Sequence, residues 1–276
     1  MASNTTTQPV PARRALLAGL AALAFSSRAN AMAVRMRVGG TGVANGALRE
    51  LRSLVHEQLG IAVEITKGLG TSGGIRAVAG TTLDVSVGAR PLLPAERDQG
   101  LSERVWGSTP LVFATRADNP TNGLTSQQAV SLIAGETTRW EDGSRVRITR
   151  RPALDSDTQI LAGLSAPMAR AVAALQRRPG VLTAVSDSDK ADALEAAPGS
   201  FGVLGLGQMI SEKRALKPLS LDGRLPTDPA WPMHKPLVLV FRSSSDVWVN
   251  DFLSFLVSEP ARTALGPLVY NIGEVA

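Results

Sequence analysis

The feature that most constrains this chain is a unit that recurs along it: a short apolar strand, a glycine-rich turn, then a helix. Val34 to Val38 reads as a strand and Gly39-Gly40-Thr41-Gly42 as the turn. The stretch from about Asn45 to Leu59 follows as a helix with Leu48, Leu51, Leu54 and Val55 at helical spacing. Ala62 to Thr66 opens a second unit, which runs through the turn Gly68 to Gly74 into a short helix, Ile75 to Ala79, and Leu83 to Val87 is a third strand. A chain built this way folds as an α/β sheet whose loops at the strand ends face a ligand.

The pattern continues with a strand from Trp106 to Ala114 and a turn-rich boundary, Asp118 to Gly123, before a helix that Thr125 or Ser126 caps. Arg145 to Thr149 is a strand, Thr158 to Ala162 and Ala166 to Gln176 are helical, and Ser200 to Leu204 is a strand after the Pro198-Gly199 turn. The segment Pro226 to Pro236 holds four prolines and no periodicity, and it leads to a strand, Leu237 to Phe241. Asp246 to Ala264 reads as one amphipathic helix with Val249, Phe252, Leu253, Leu256 and Val257 on one face. These elements predict a first lobe from residues 32–113 plus 237–276 and a second from 114–236, joined by two crossovers.

Residues 1–31 have the parts of a secretory signal: the basic pair Arg13-Arg14, an apolar run from Ala15 to Phe25, and the small-residue pattern Ala29-Asn30-Ala31, after which cleavage is expected. The apolar run of eleven residues is too short to cross about 30 Å of hydrocarbon. Of the 29 Lys and Arg residues, Arg13, Arg14 and Arg28 leave with this segment, so the mature chain is nearly neutral against its 24 acidic residues. With a single tyrosine and no basic stripe interleaved with aromatics, a nucleic-acid partner is not expected. The absence of cysteine excludes disulfides, thiolate metal sites and a lipid-attachment thiol. The expected product is periplasmic and free of a lipid anchor.

Three polar turns follow strands: Gly40-Thr41-Gly42, Gly70-Thr71-Ser72-Gly73-Gly74, and Leu154-Asp155-Ser156-Asp157-Thr158. Hydroxyl-rich turns that open helices present unpaired N–H donors and the positive end of the helix dipole, which suits them to a phosphate-like anion without a metal. Each turn alone is equally readable as a helix cap. Arginines beside two of them favour the anion.

The run Gly68-Leu69-Gly70-Thr71-Ser72-Gly73-Gly74-Ile75-Arg76, followed by Leu83-Asp84-Val85-Ser86-Val87-Gly88-Ala89-Arg90-Pro91-Leu92, resembles the core motif of periplasmic phosphate-binding proteins of ABC transporters. The likeness extends through Ala117-Asp118-Asn119-Pro120, the helix from Thr125 to Gly135, the Arg151 to Thr158 turn and Gly199 to Leu204. It implies a type II periplasmic-binding fold, two α/β lobes with the anion in the cleft between them, and delivery of the anion to an inner-membrane permease. The implied ligand contacts are Thr41 and Gly42, Thr71 and Ser72, and Arg151, Ser156 and Thr158, with Arg151 giving a charge-assisted pair to two anion oxygens.

Two departures from that pattern bear on the ligand. Ala89 stands where phosphate binders carry the aspartate that accepts the proton of hydrogen phosphate, and the turn Ala89-Arg90-Pro91 is nearer to superfamily members with a Ser-Arg-Pro-like turn, which brings in Arg90. The third turn carries Asp155 and Asp157 where glycines are usual; Asp155 is a substitute acceptor, and Asp157 keeps its N–H for the anion if its carboxylate points outward. Sulfate, molybdate or tungstate therefore remain alternatives to phosphate, as does a sensor or scavenger role in place of transport. No catalytic motif and no cofactor is expected: His56 and His234 are the only histidines, and Asp155 with Asp157 supplies only half of a calcium loop.

Overall fold

The structure is a computed structural model that describes residues 34–273 together with the first two residues. The expected signal segment and its cleavage point lie outside these. The described residues from 35 onward form one compact unit.

The chain begins with β1 (Val34–Gly40), a 3-10 turn (Gly42–Ala44) and α1 (Asn45–Leu59), then β2 (Ile61–Thr66), α2 (Gly70–Ala79), β3 (Val85–Gly88) and the short α3 (Pro94–Arg97). A long strand, β4 (Leu101–Arg116), leads to β5 (Gly123–Leu124), α4 (Ser126–Ala134), β6 (Arg147–Arg150), α5 (Ser156–Gly163), α6 (Ala166–Arg177), β7 (Leu182–Thr183) and α7 (Asp187–Ala196). After β8 (Ser200–Gly205) and α8 (Leu206–Ser211) come β9 (Leu216–Pro218), β10 (Ser220–Leu221) and β11 (His234–Arg242). The chain finishes with α9 (Val247–Phe255), α10 (Glu259–Leu265) and β12 (Asn271–Ile272).

The main sheet runs β2-β1-β3-β11-β4-β8-β6-β7, with β9 and β12 also pairing with β4. β1 and β3 are parallel, as are β8, β6 and β7, and β11 and β4 run antiparallel between these two groups. β4 belongs to both halves: Leu101 to Pro110 faces β11, and Leu111 to Ala114 faces β8. It carries the chain into the second half, and the segment ending at Met233 and β11 carries it back, with Leu111 N–H donating to the Met233 carbonyl at 2.9 Å. This is the type II periplasmic-binding architecture, two α/β lobes with two crossovers.

The second half packs around Phe113, Trp140, Phe201, Leu194 and Trp231. Phe113 stacks on Phe201 with ring centroids 5.7 Å apart, and Trp140 meets Phe201 edge-on. A smaller apolar cluster of Ile75, Val78, Leu83, Leu92, Val238 and Val240 lies under α2 in the first half. The helix expected as one piece from Asp246 to Ala264 is two, because Pro260 lacks the N–H that would continue α9 and instead sits in the first turn of α10. The helix expected from Ile75 begins earlier, at Gly70, so its glycines are helical. Thr125 caps α4 as expected, accepting the Gln128 N–H in a capping box.

Candidate functional site

Three loops that leave parallel strands at their carboxyl ends meet one another, those after β1, β6 and β7. The first is fixed by close packing. Gly40 sits at φ +120, and a Cβ there would fall 2.1 Å from the Val87 carbonyl oxygen, so only glycine fits. Thr41 N–H then donates to that same carbonyl at 2.8 Å, which aims the Thr41 hydroxyl and the N–H groups of the 3-10 turn toward the second half. The far side of this turn is held by Tyr270, whose buried hydroxyl donates to the Val43 carbonyl at 2.7 Å.

Those donors close on a carboxylate. Thr41 Oγ1 donates to Asp187 Oδ2 at 2.9 Å and Val43 N–H to the same oxygen at 3.2 Å. Lys235 Nζ donates to Asp187 Oδ1 at 3.0 Å, and an Arg151 Nη lies 3.9 Å from that atom. Asp187 is the first residue of α7 and is buried, as are Thr41, Arg151 and Lys235. Lys235 also sits 2.7 Å from Asp157 Oδ1, in a contact too far off the hydrogen-bond direction to satisfy either Asp157 oxygen. Lys190, one turn along α7 from Asp187, is buried beside them and lines, with Arg151 and Thr158, a cavity of about 20 Å³.

Arg151 is committed in two directions, Nη2 to Asp155 Oδ2 at 2.6 Å and Nη1 to the Ala184 carbonyl at 3.1 Å, while its Nε is buried without a partner. Its neighbour Arg150 turns the other way and donates to the carbonyls of Leu175, Gln176 and Arg178 at the end of α6. Asp155 is the N-cap of α5: Oδ1 accepts Asp157 N–H at 3.0 Å while Oδ2 holds Arg151, so both its oxygens are engaged.

Electrostatics follow this wiring. Burial pushes the Asp187 carboxyl up, but the charges of Lys235 and Arg151 and the hydrogen bonds from Lys235 and Thr41 outweigh it and hold it well below the usual carboxylate range. Asp157 is raised, because burial exceeds the pull of Lys235 and Asp187 adds repulsion. Burial lowers Lys235, yet Asp157 and Asp187 more than restore it, leaving it raised. Burial brings Lys190 down to about 8 against the opposing charge of Asp157.

Of the residues singled out in the sequence, the structure gathers Thr41, Gly42, Arg151, Asp155 and Thr158 around this cluster, and Ser156 opens α5 next to it. Thr158 Oγ1 donates to the Arg151 carbonyl at 3.4 Å. The condition under which Asp157 would offer its N–H to an anion, a carboxylate pointing outward, is not met: the carboxylate is fully buried on Lys235, since the first turn of α5 faces β11 here, and the N–H donates to Asp155 Oδ1. Thr71, Ser72 and Arg90 form a separate group. Thr71 Oγ1 accepts Ala89 N–H at 3.0 Å, and Arg90 pairs through both Nη atoms with Glu96 at 2.8 Å and donates to Ser72 Oγ at 3.3 Å. Asp187, Lys190 and Lys235 were not singled out. Their signals were a capping-type run, Ser186-Asp187-Ser188-Asp189, ahead of a helix, and a lysine at the head of an apolar strand.

Two α/β halves joined by two crossing strands thus enclose a buried polar cluster at the strand ends. A model of the PBP superfamily domain matches residues 11–260, and the chain belongs to that superfamily. It is similar to the phosphate-binding protein PstS of Borreliella burgdorferi, 22% identical over 201 residues that span 68% of this chain and 72% of that protein. Among solved structures it resembles a putative phosphate ABC transporter substrate-binding protein with bound phosphate from Clostridium perfringens, with a TM-score of 0.71 at 15% identity, covering 87% of this chain and all of that one. It also resembles a phosphate-binding protein from Stenotrophomonas maltophilia, with a TM-score of 0.63 at 11% identity, covering 87% of this chain and 91% of the other.

Proposed function

We propose that this protein is a periplasmic solute-binding protein that captures a tetrahedral oxyanion, phosphate foremost, for import by an ABC-type permease, and that it is a binding protein rather than an enzyme. The observation that carries this reading is the convergence of donors from both halves on one buried point: Thr41 Oγ1, Val43 N–H, Lys235 Nζ and the nearby Arg151 guanidinium. That set of hydroxyl, backbone N–H and cations is what an oxyanion requires, and it sits on a scaffold shared with phosphate-binding relatives. The secretory-signal pattern in the sequence of residues 1–31 supports the location. Among the described residues no helix is long and apolar enough to cross a membrane. On this reading residues 32–113 plus 237–276 make lobe 1 and 114–236 make lobe 2, with Thr41, Gly42, Arg151, Asp155, Ser156 and Thr158 at the ligand and Thr71, Ser72 and Arg90 at the rim.

Calorimetric titration of dialysed protein with phosphate, sulfate and molybdate tests this directly. Phosphate should bind in preference to the others, and Arg151→Ala should weaken binding by two decades or more, since removing one partner of a buried charged pair costs about 3–5 kcal/mol. Preferred binding of sulfate or molybdate would replace phosphate as the ligand, and equal affinity of Arg151→Ala would remove Arg151 from the site.

A further inference from the structure

The oxyanion seat is occupied by part of the protein itself. We propose that Asp187 is a tethered anion: its carboxylate fills the seat formed by Thr41, Val43, Lys235 and Arg151, holds the two halves together without ligand, and must be displaced before a free oxyanion can bind. This inference rests on the oxyanion reading of the same site.

Three independent observations carry it. The first is the identity of the contacts. Asp187 uses a hydroxyl and a backbone N–H from the turn after β1 in one half, and cations from β11 and from the loop after β6 in the other. A carboxylate needs none of these to start its helix, because Ser186 already caps α7 by accepting Asp189 N–H. The second is fit. A Cβ on Gly42 would lie 2.8 Å from Asp187 Cβ, so the turn after β1 is shaped to let this side chain approach to contact. The third is charge. Three buried cations, Arg151, Lys190 and Lys235, face the three carboxyl groups of Asp155, Asp157 and Asp187, so the formal charges of the cluster already balance without a ligand. A divalent oxyanion entering beside Asp187 would bring two uncompensated charges into a buried site, which is far costlier than replacing the carboxylate. Withdrawal of Asp187 exposes the same donors to the ligand. The consequence is a protein whose affinity for its anion is set by competition with its own side chain, and whose closed form does not report on ligand.

The test compares the wild-type protein with Asp187→Ala and the near-isosteric Asp187→Asn, by small-angle scattering without ligand and by calorimetry with inorganic phosphate. The second variant keeps the shape of the side chain should the first fail to fold. Wild type should scatter as the closed form with or without phosphate. The variants should show a larger radius of gyration when unliganded, bind phosphate at least tenfold more tightly than wild type, and return to the wild-type radius when saturated. Unliganded variants as closed as wild type, or phosphate binding no tighter than wild type in variants that bind it, would overturn the tethered anion and leave Asp187 a structural ion-pair residue. Variants that open but are closed by no oxyanion would keep the tether and sink the oxyanion reading of the seat.

Discussion

Lys235 Nζ lies 3.0 Å from Asp187 Oδ1 and is wholly buried, so a strand that crosses between the halves is bonded to the first residue of a helix in the second half. The same ammonium is the nearest cation to Asp157, 2.7 Å away, and one positive charge therefore serves two buried carboxylates.

Replacing Lys235 with methionine keeps the aliphatic stem and removes that charge. Asp157 is left buried without a cation in contact and Asp187 loses its closest one, a change that costs about 3–5 kcal/mol in comparable buried pairs. Urea denaturation of Lys235→Met against wild type measures it. A loss under about 1 kcal/mol would mean that the carboxylates are neutralised by their other neighbours.

The alkaline limb of the stability profile belongs to Lys190. Its ammonium, lowered by burial to about 8, gives up its proton in the folded chain before it does in the unfolded one. Between about pH 8 and the ordinary lysine value of about 10.4 the unfolded state holds more protons, so stability rises with pH by up to about 3 kcal/mol. Lys190→Met should abolish that rise in unfolding free energies measured at pH 7 and pH 9.5. In acid the slope has the same sign. The depressed Asp187 carboxyl stabilises the fold above about pH 4 and that stability drains away as pH falls further.

Tyr270 acts on the site from outside it. Its hydroxyl donates to the Val43 carbonyl and its ring lies against Gly207, where a Cβ would come 2.5 Å from the ring. Tyr270→Phe should cost about 1 kcal/mol for the lost hydrogen bond and leave the Val43 carbonyl buried and unpaired. Thermal unfolding checks the stability, and backbone amide shifts of Val43 and Asp187 show whether the turn has moved.

The α/β class, α1 and the turn at Gly40-Thr41-Gly42 were legible because each rests on local rules: the apolar period, a helix of three or more turns, and glycine where no Cβ fits. Arg151 was singled out through the family resemblance, and it lies buried in the cluster. Asp187 was not, because the residue that explains its burial, Thr41, is 146 positions away and nothing local separates a buried carboxylate from a helix-capping one. Lys235 was hidden for a related reason. A lysine at a strand's first turn ordinarily keeps its head in water, and only the two carboxylates brought in by α5 and α7 make its burial tolerable. The direction of Asp157 was left open by the sequence because a first-turn residue can face either side until the packing partner of its helix is known.

The two crossing segments, β4 and β11, are not separate tethers. They pair with each other from Leu101 opposite Arg242 to Pro110 opposite His234, and the register slips only between Leu237 and Val238. Two loose linkers would let the halves swing about many axes. A hydrogen-bonded ribbon resists stretching and shearing along its length and yields most readily to torsion, which a bulge concentrates at one point. A turning of one half against the other would therefore be closer to the wringing of a cloth than to the swing of a door, with Leu237 and Val238 where the wrist turns.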